Sequence, residues 1–174
     1  MTVALVSAIG QQRLREAFSH FPSGVAALAA EIDREPQVLV ASSFTVGVSL
    51  DPPLAAVFVQ KSSSTWSLLS RAERIGVSIL GADHAETCRQ LAGRDRSERF
   101  SGVERVASPT GAIRILGSAA YFECSVHDVH ATGDHDAVLL FIHDLHVARE
   151  TAPLVFHGSR FTQLAMEPAG MTAQ

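Results

Sequence analysis

Two short runs of hydroxyl side chains hold the densest chemistry in the chain. Ala41 to Ser49 carries Ser42, Ser43, Thr45 and Ser49 among Phe44, Val46 and Val48. Lys61-Ser62-Ser63-Ser64-Thr65 follows after an apolar stretch. In the second run hydroxyls and backbone N–H groups can donate hydrogen bonds, and Lys61 adds a positive charge. A helix starting near Thr65 would add the positive end of its dipole. Such a set suits the single phosphate of a mononucleotide. The first run could offer backbone donors and acceptors to a heteroaromatic ring, with Phe44 as an apolar wall. Taken singly, either run is better explained as helix caps or as a solvated loop. The glycine patterns of nucleotide hydrolases and of Rossmann dinucleotide sites do not occur.

The second concentration of chemistry is histidine. His127, His130, His135, His143 and His146 crowd one stretch. Residues three apart on a strand point to opposite faces. His127 with His130, and His143 with His146, are therefore not expected to chelate together. His127 could meet His143 across a hairpin, but a third ligand is wanting. No metal is expected.

The elements that must position these residues follow from periodicity. Leu14, Ala17, Phe18 and Phe21 recur at helical spacing within 11–20, and Pro22-Ser23-Gly24 ends that helix. Val25 to Ile32 reads as a strand of small apolar residues. Asp33 to Pro36 is a polar turn, and Val38 to Val40 is a returning strand. Asp51-Pro52-Pro53 closes the first hydroxyl run. Leu54 to Val59 reads as a strand buried on both faces. A short helix is expected over Thr65 to Arg71, a strand over Arg74 to Leu80, and a helix from Asp83 as N-cap with Glu86 in the capping-box position. Arg94 to Ser108 is charged and irregular. Ser118 to Thr132 and Ala137 to Glu150 are long extended segments joined by Gly133-Asp134-His135-Asp136. Pro153 to Phe161 is the last element. Short helices among many strands imply an α+β fold, mainly β, built around a barrel.

Bulk properties bound the function. The 174 residues suit a single domain over 1–174, with a core of about 11–164 and flexible termini. Hydrophobic residues make up 47% and the net charge is −4, so neither disorder nor nucleic-acid binding is expected. Cys88 and Cys124 form no CxxC pair and read as free thiols. Nothing resembles a secretion signal or a membrane span. A cytoplasmic protein is expected, with neither membrane nor nucleic acid as partner.

Six strings occur in an order that resembles the short-chain flavin reductases, the reductase components of two-component flavin monooxygenases. They are Phe18-Ser-His-Phe-Pro-Ser-Gly-Val25, Ala41-Ser-Ser-Phe-Thr45, Val48-Ser-Leu-Asp-Pro-Pro-Leu54, Ser62-Ser-Ser-Thr-Trp66, Gly133-Asp-His135 and His157-Gly-Ser-Arg-Phe161. The resemblance implies an FMN-binding split β-barrel with short flanking helices, a homodimer, and hydride transfer from NADH or NADPH to FMN or FAD. Reduced flavin would then pass to a partner monooxygenase. By the same resemblance Ser42, Ser43, Phe44 and Thr45 would line the flavin ring. Lys61, Ser62, Ser63, Ser64 and Thr65 would hold its phosphate side. Trp66 is counted with them, although by type it reads as a packing residue. Arg94 and Phe100 match a loop near the flavin. His135, His157, Gly158 and Arg160 match the nicotinamide-nucleotide site. No residue is expected to act as acid, base or nucleophile, because the two cofactors carry the chemistry. The chain departs from the family at Thr45-Val46-Gly47, one residue longer than the common turn. The competing readings are a split barrel with tightly held FMN acting on another substrate, and a flavin-binding module without turnover.

Overall fold

A computed structural model describes residues 9–164. The expected flexibility of the termini concerns residues outside that range. Helix α1 (Gln11–Ser19) leads into β1 (Ser23–Gly24), β2 (Ala26–Ile32), β3 (Glu35–Ala41), β4 (Thr45–Leu50) and β5 (Pro53–Gln60). Next come the one-turn helix α2 (Trp66–Leu69), β6 (Ile75–Ile79), a 3-10 turn (Ala82–His84) and α3 (Ala85–Leu91). The rest is strand: β7 (Arg105–Ala107), β8 (Ile113–Ile115), β9 (Ala120–Thr132), β10 (His135–Val147), β11 (Leu154–His157) and β12 (Arg160–Gln163).

Seven strands form one antiparallel sheet in the order β3-β2-β6-β9-β10-β5-β4. Leu28, Val57, Ile75, Cys124, Val138 and Leu140 belong to five of these strands, yet they pack into one buried cluster. A flat sheet could not bring its flanks together in this way. The sheet therefore curls, and β3 comes up against β5. The result is a split β-barrel whose seam runs between β3 and the β4–β5 flank. Ser43 crosses that seam, its hydroxyl donating to the Phe58 carbonyl at 2.7 Å.

The alanine-rich β2 is buried on both faces. Ala26, Leu28 and Ala30 face the barrel interior, while Ala27 and Ala29 join a second core under α3, Phe100, Ile113, Ile115 and Leu154. Small side chains are required because another layer approaches closely. The same crowding fixes Gly76 on β6, where an added Cβ would sit 2.1 Å from the Ile113 carbonyl oxygen.

Several boundaries differ from those expected. The first hairpin turns on Asp33 and Arg34 alone, both at positive φ, so Glu35 and Pro36 belong to β3. Proline is tolerated there because β3 is an edge strand. Asp83 does not cap a helix. It lies inside the 3-10 turn, and α3 starts after His84, whose Nδ1 accepts the Gly81 N–H at 3.2 Å. Glu86 pairs instead with Arg89. The long hairpin turns on Gly133-Asp134, with Gly133 at φ 58°, and His135 and Asp136 already belong to β10. The segment 153–161 contains a hairpin rather than a single element, since β11 pairs with β12.

The histidines of the long hairpin sit on irregular ladder. Register shifts fall between Leu139 and Leu140 and between Ile142 and Asp144, leaving His127 and His143 at the bulges. The strict alternation assumed for His127 and His130 therefore fails. His143 Nε2 lies 2.8 Å from the Ser125 hydroxyl and its ring lies 4.7 Å from that of Phe141. His130 pairs with Asp128 at 3.1 Å. Among the described residues no group of three or more His, Cys, Asp or Glu could hold a metal.

Candidate functional site

The barrel seam opens into a cavity of about 350 Å³. The end of β3 supplies Leu39, Val40 and Ala41, followed by Ser42 and Ser43; the end of β5 supplies Phe58 and Gln60. Ser63 comes from the loop after β5 and His135 from the start of β10. Antiparallel pairing explains the convergence: His135 lies opposite Gln60, so the hairpin turn stands directly beside the hydroxyl-rich loop. The cavity has an apolar floor and a polar rim. That is the arrangement a planar heteroaromatic ring with a polar edge requires.

Phe58 replaces Phe44 as the aromatic wall. Phe58 is 43% exposed and faces this cavity, against the expectation that its strand is buried on both faces. Phe44 points elsewhere, packing 6.1 Å from the Phe122 ring and lining a separate apolar cavity of about 330 Å³. The inversion has a local cause. Thr45 pairs with Ala56 and Ser49 with Leu54, so four steps along β4 answer two along β5. Gly47 takes φ 72° in this bulge. The extra length seen at Thr45-Val46-Gly47 is thus absorbed as a β-bulge, and Thr45 lies exposed on the strand outside the cavity.

In the hydroxyl-rich loop the side chains divide their duties. Ser63 Oγ accepts the Trp66 N–H at 3.1 Å, a capping bond, while Ser63 also lines the cavity. Ser62 is exposed. Ser64 Oγ accepts from Arg96 at 2.5 Å. Thr65 is buried and accepts from Arg99 at 3.3 Å. Trp66 is buried in the barrel core, in keeping with its packing character.

Lys61 does not stand free for an anion. Its Nζ donates to the Gly133 carbonyl at 2.7 Å and lies 3.9 Å from Asp136, while its backbone N–H donates to the Asp134 carbonyl. Lys61 therefore ties the loop to the hairpin turn. The cations that reach the loop hydroxyls are Arg96, at Ser64, and Arg99, at the buried Thr65, both from the segment that reads only as charged and irregular. Helix α2, at four residues, is too short to build a strong dipole. Sequence reasoning chose Arg94, which is exposed on the same segment. Phe100 turns into the second core. Gln90 pins this segment through donation to the carbonyls of Glu98, Arg99 and Ser101.

His135 is held by its neighbour. Its Nδ1 lies 2.7 Å from Asp134 Oδ1. The hydrogen bond from the imidazole holds the Asp134 carboxyl below its ordinary range, so the carboxylate accepts and Nδ1 carries the proton. Nε2 is left to whatever occupies the cavity. His157, Gly158 and Arg160 lie apart, on the β11–β12 hairpin. His157 sits 6.4 Å from the His20 ring, and the Gly158 N–H donates to the Ser19 carbonyl at 2.7 Å. Phe156 and Phe161 of this hairpin line a cavity of about 190 Å³ that shares Val40 and Ser42 with the seam cavity.

The chain matches the family described as "Flavin reductase like domain" over residues 18–165. It belongs to that family. It is 35% identical over 159 residues to the actinorhodin polyketide dimerase of Streptomyces coelicolor, covering 90% of this chain and 88% of that one. It is 31% identical over 155 residues to the reductase subunit HsaB of a flavin-dependent monooxygenase from Rhodococcus jostii, covering 89% and 78%. Among solved structures it resembles an NADH:FAD oxidoreductase of Streptomyces globisporus in complex with NAD and FAD fragments. That match has TM-score 0.83, 31% identity, and coverage of 88% and 92%. The flavin reductase-like domain thus spans the whole barrel, from the end of α1 to β12.

Proposed function

We propose that this flavin reductase-like domain binds FMN or FAD in the seam cavity and catalyses its reduction by NADH or NADPH. The observation that carries the reading is the meeting of Ser42, Ser43, Ser63 and His135, distant in sequence, around the apolar floor of Phe58. The bound flavin would supply the chemistry, by accepting a hydride from the reduced nicotinamide. The protein's part is positional. Phe58 and the Leu39–Ala41 edge receive one ring face. Backbone groups around Ser42 and Ser43, and the Gln60 amide, address the polar edge. Arg96, with Ser62, Ser63 and Ser64, addresses the phosphate. His135, with its proton placed on Nδ1 by Asp134, presents Nε2 to orient the nicotinamide nucleotide. No side chain needs to accept a proton from the reacting atoms.

Membership of the family and likeness to a monooxygenase reductase subunit support transfer of the reduced flavin to a partner monooxygenase. A homodimer is inferred from the exposed apolar residues of β4 and β10, among them Val46, Leu50, Leu145 and Val147. No helix among the described residues is long and apolar enough to cross a membrane. With two free, buried thiols, a reducing cytoplasmic setting is the reading adopted.

The likeness to a polyketide dimerase, a relative named for action on an organic substrate, gives weight to a second reading, in which the flavin stays bound and serves a reaction on another substrate. One experiment separates the two. NADH and NADPH oxidation is measured with FMN, FAD and riboflavin added singly to protein freed of flavin by gel filtration. Oxidation dependent on added flavin supports the first reading. Flavin carried through the column, with no turnover of added flavin, supports the second. No oxidation under any condition would defeat both.

A further inference from the structure

The seam has no ladder of its own. In the sheet β3 pairs only with β2, and β5 only with β4 and β10, so strand pairing does not join the two lips of the cavity. Two side chains span it instead. At one end the Ser43 hydroxyl donates to the Phe58 carbonyl at 2.7 Å. At the other end stands Arg99, which belongs to neither lip. One terminal nitrogen of its guanidinium donates to the Val38 carbonyl of β3 at 3.1 Å and to the Thr65 hydroxyl at 3.3 Å. Its Nε donates to the Gly93 carbonyl at 2.7 Å, which ties the guanidinium to its own segment. The lips run antiparallel between these points, since Val38 and Ser43 on one side answer Thr65 and Phe58 on the other. Every residue lining the cavity except His135 falls within 39–43 or 58–63, the spans that the two clasps bracket.

The chemistry of Arg99 suits a clasp. The residue is partly buried, and burial, followed by the charge of Arg96, pushes its pKa down. Among the described residues no carboxylate pairs with it, so neutral acceptors offset its desolvation. Those acceptors sit on both lips, and parting the lips would leave a partly buried cation short of them. Arg99 also closes the turn that carries Arg96. Its N–H meets the Arg96 carbonyl at 3.4 Å, and Arg96 in turn reaches Ser64. We propose that Arg99 is a positioning residue that sets the width of the seam cavity, and with it the rate at which a bound flavin leaves, by clasping β3 to the hydroxyl-rich loop through Thr65. The proposal rests on the flavin reductase reading for what the cavity holds. The clasp itself is a property of the chain without ligand.

The test uses the full chain, unaltered and as R99K, R99M, T65V and T65S. Amide hydrogen exchange is followed without flavin. Release of FMN and of riboflavin is followed by the fluorescence regained as each leaves. R99M and T65V are expected to speed exchange about tenfold at both lips, in 39–43 and 61–65, and to leave the β6–β9 ladder unchanged. T65V is expected to speed release of FMN and riboflavin alike, by about tenfold, the usual worth of a hydrogen bond to a charged group. T65S keeps the hydroxyl and is expected to restore the unaltered rates. R99K keeps the charge without the planar fork and is expected to behave as R99M does. Unaltered rates in R99K would overturn the clasp in favour of charge alone. Faster exchange confined to the hydroxyl-rich loop, or spread evenly through the β6–β9 ladder, would overturn it as well, the second being general loss of stability. So would faster exchange at both lips with unchanged release of bound flavin, or an effect of T65V on FMN alone. Faster exchange at both lips in a chain that binds no flavin would keep the clasp and sink the flavin reading.

Discussion

At the level of single residues, the site turns on which cation faces the hydroxyl-rich loop. Lys61 is the obvious choice from sequence, because it stands beside three serines. The structure spends it on the Gly133 carbonyl and Asp136. Arg96 is the cation in contact with an exposed loop hydroxyl, at Ser64, while Arg99 holds the buried Thr65. The roles separate experimentally. R96A is expected to raise the dissociation constant for FMN about tenfold, by the usual worth of a charge-assisted hydrogen bond, and to leave riboflavin, which lacks the phosphate, unchanged. K61A is expected to weaken FMN and riboflavin by similar factors, because it loosens the junction of loop and hairpin. Flavin fluorescence titration reads both. Equal loss of FMN and riboflavin in R96A would remove Arg96 from the phosphate. The run of serines at 62–64 was legible in the sequence, and of these Ser63 lines the same cavity as Ser42 and Ser43. Phe58 was not. It sits inside an apolar run, and only the curl of the sheet shows that one member of the run looks outward at the seam. Arg96 was hidden for a related reason, since an irregular segment has no periodicity from which to infer direction.

At the level of elements, legibility followed the turns. The β2–β3 and β9–β10 hairpins are announced by Asp33-Arg34 and Gly133-Asp134 between apolar strands, and both form. The bulges at Gly47, His127 and His143 carry no such announcement, because they depend on the register of partner strands. A second tertiary constraint is the packing of β8 against β6. Gly76 is needed not for an unusual φ but because β8 passes at contact distance. G76A is expected to cost about 3 kcal/mol or more, at the upper end for overpacking, since the obstructing atom is backbone and cannot rotate away. Urea denaturation measures it, and a loss under about 1 kcal/mol would mean that the two strands can part without consequence. The start of α3 gives a prediction in pH. Burial pushes the His84 pKa below its ordinary value of 6.5, outweighing the nearby charge of Asp83 and a backbone hydrogen bond at Leu116. The unfolded chain therefore binds more protons than the folded one just below pH 6.5, and stability falls as pH drops through that value. Above it the penalty is absent. Protonated Nδ1 would also lose its ability to accept the Gly81 N–H. H84Q is expected to flatten the fall of the urea midpoint between pH 7.5 and 5.5, and an unchanged slope would assign the pH dependence to other groups.

At the level of the whole molecule, the barrel leaves one flank unfinished. Strand β4 is an edge, paired only with β5, and it exposes Val46, Val48 and Leu50. Beside it the apolar cavity of about 330 Å³ is walled by Phe44, Val46, Ile79, Ala120 and Phe122. An edge strand with exposed apolar residues invites pairing or aggregation unless something covers it. A second copy related by a two-fold axis would cover both equivalent flanks at once. This flank also borders the site, because Ser43, which lines the seam cavity, leads through Phe44 into β4. The unaltered chain is therefore expected to run at twice its 18.6 kDa mass in light scattering at micromolar concentration. The double substitution V46D and V48D places two charges where desolvation would be required, so it should yield monomers that retain the β-sheet signal in circular dichroism. Flavin affinity is expected to fall together with the dimer, by more than dilution alone explains. A dimer that survives both aspartates would move the interface away from β4. A monomer that binds flavin as tightly as the dimer would show that the seam is complete within one chain, and that the exposed flank serves something other than the cofactor.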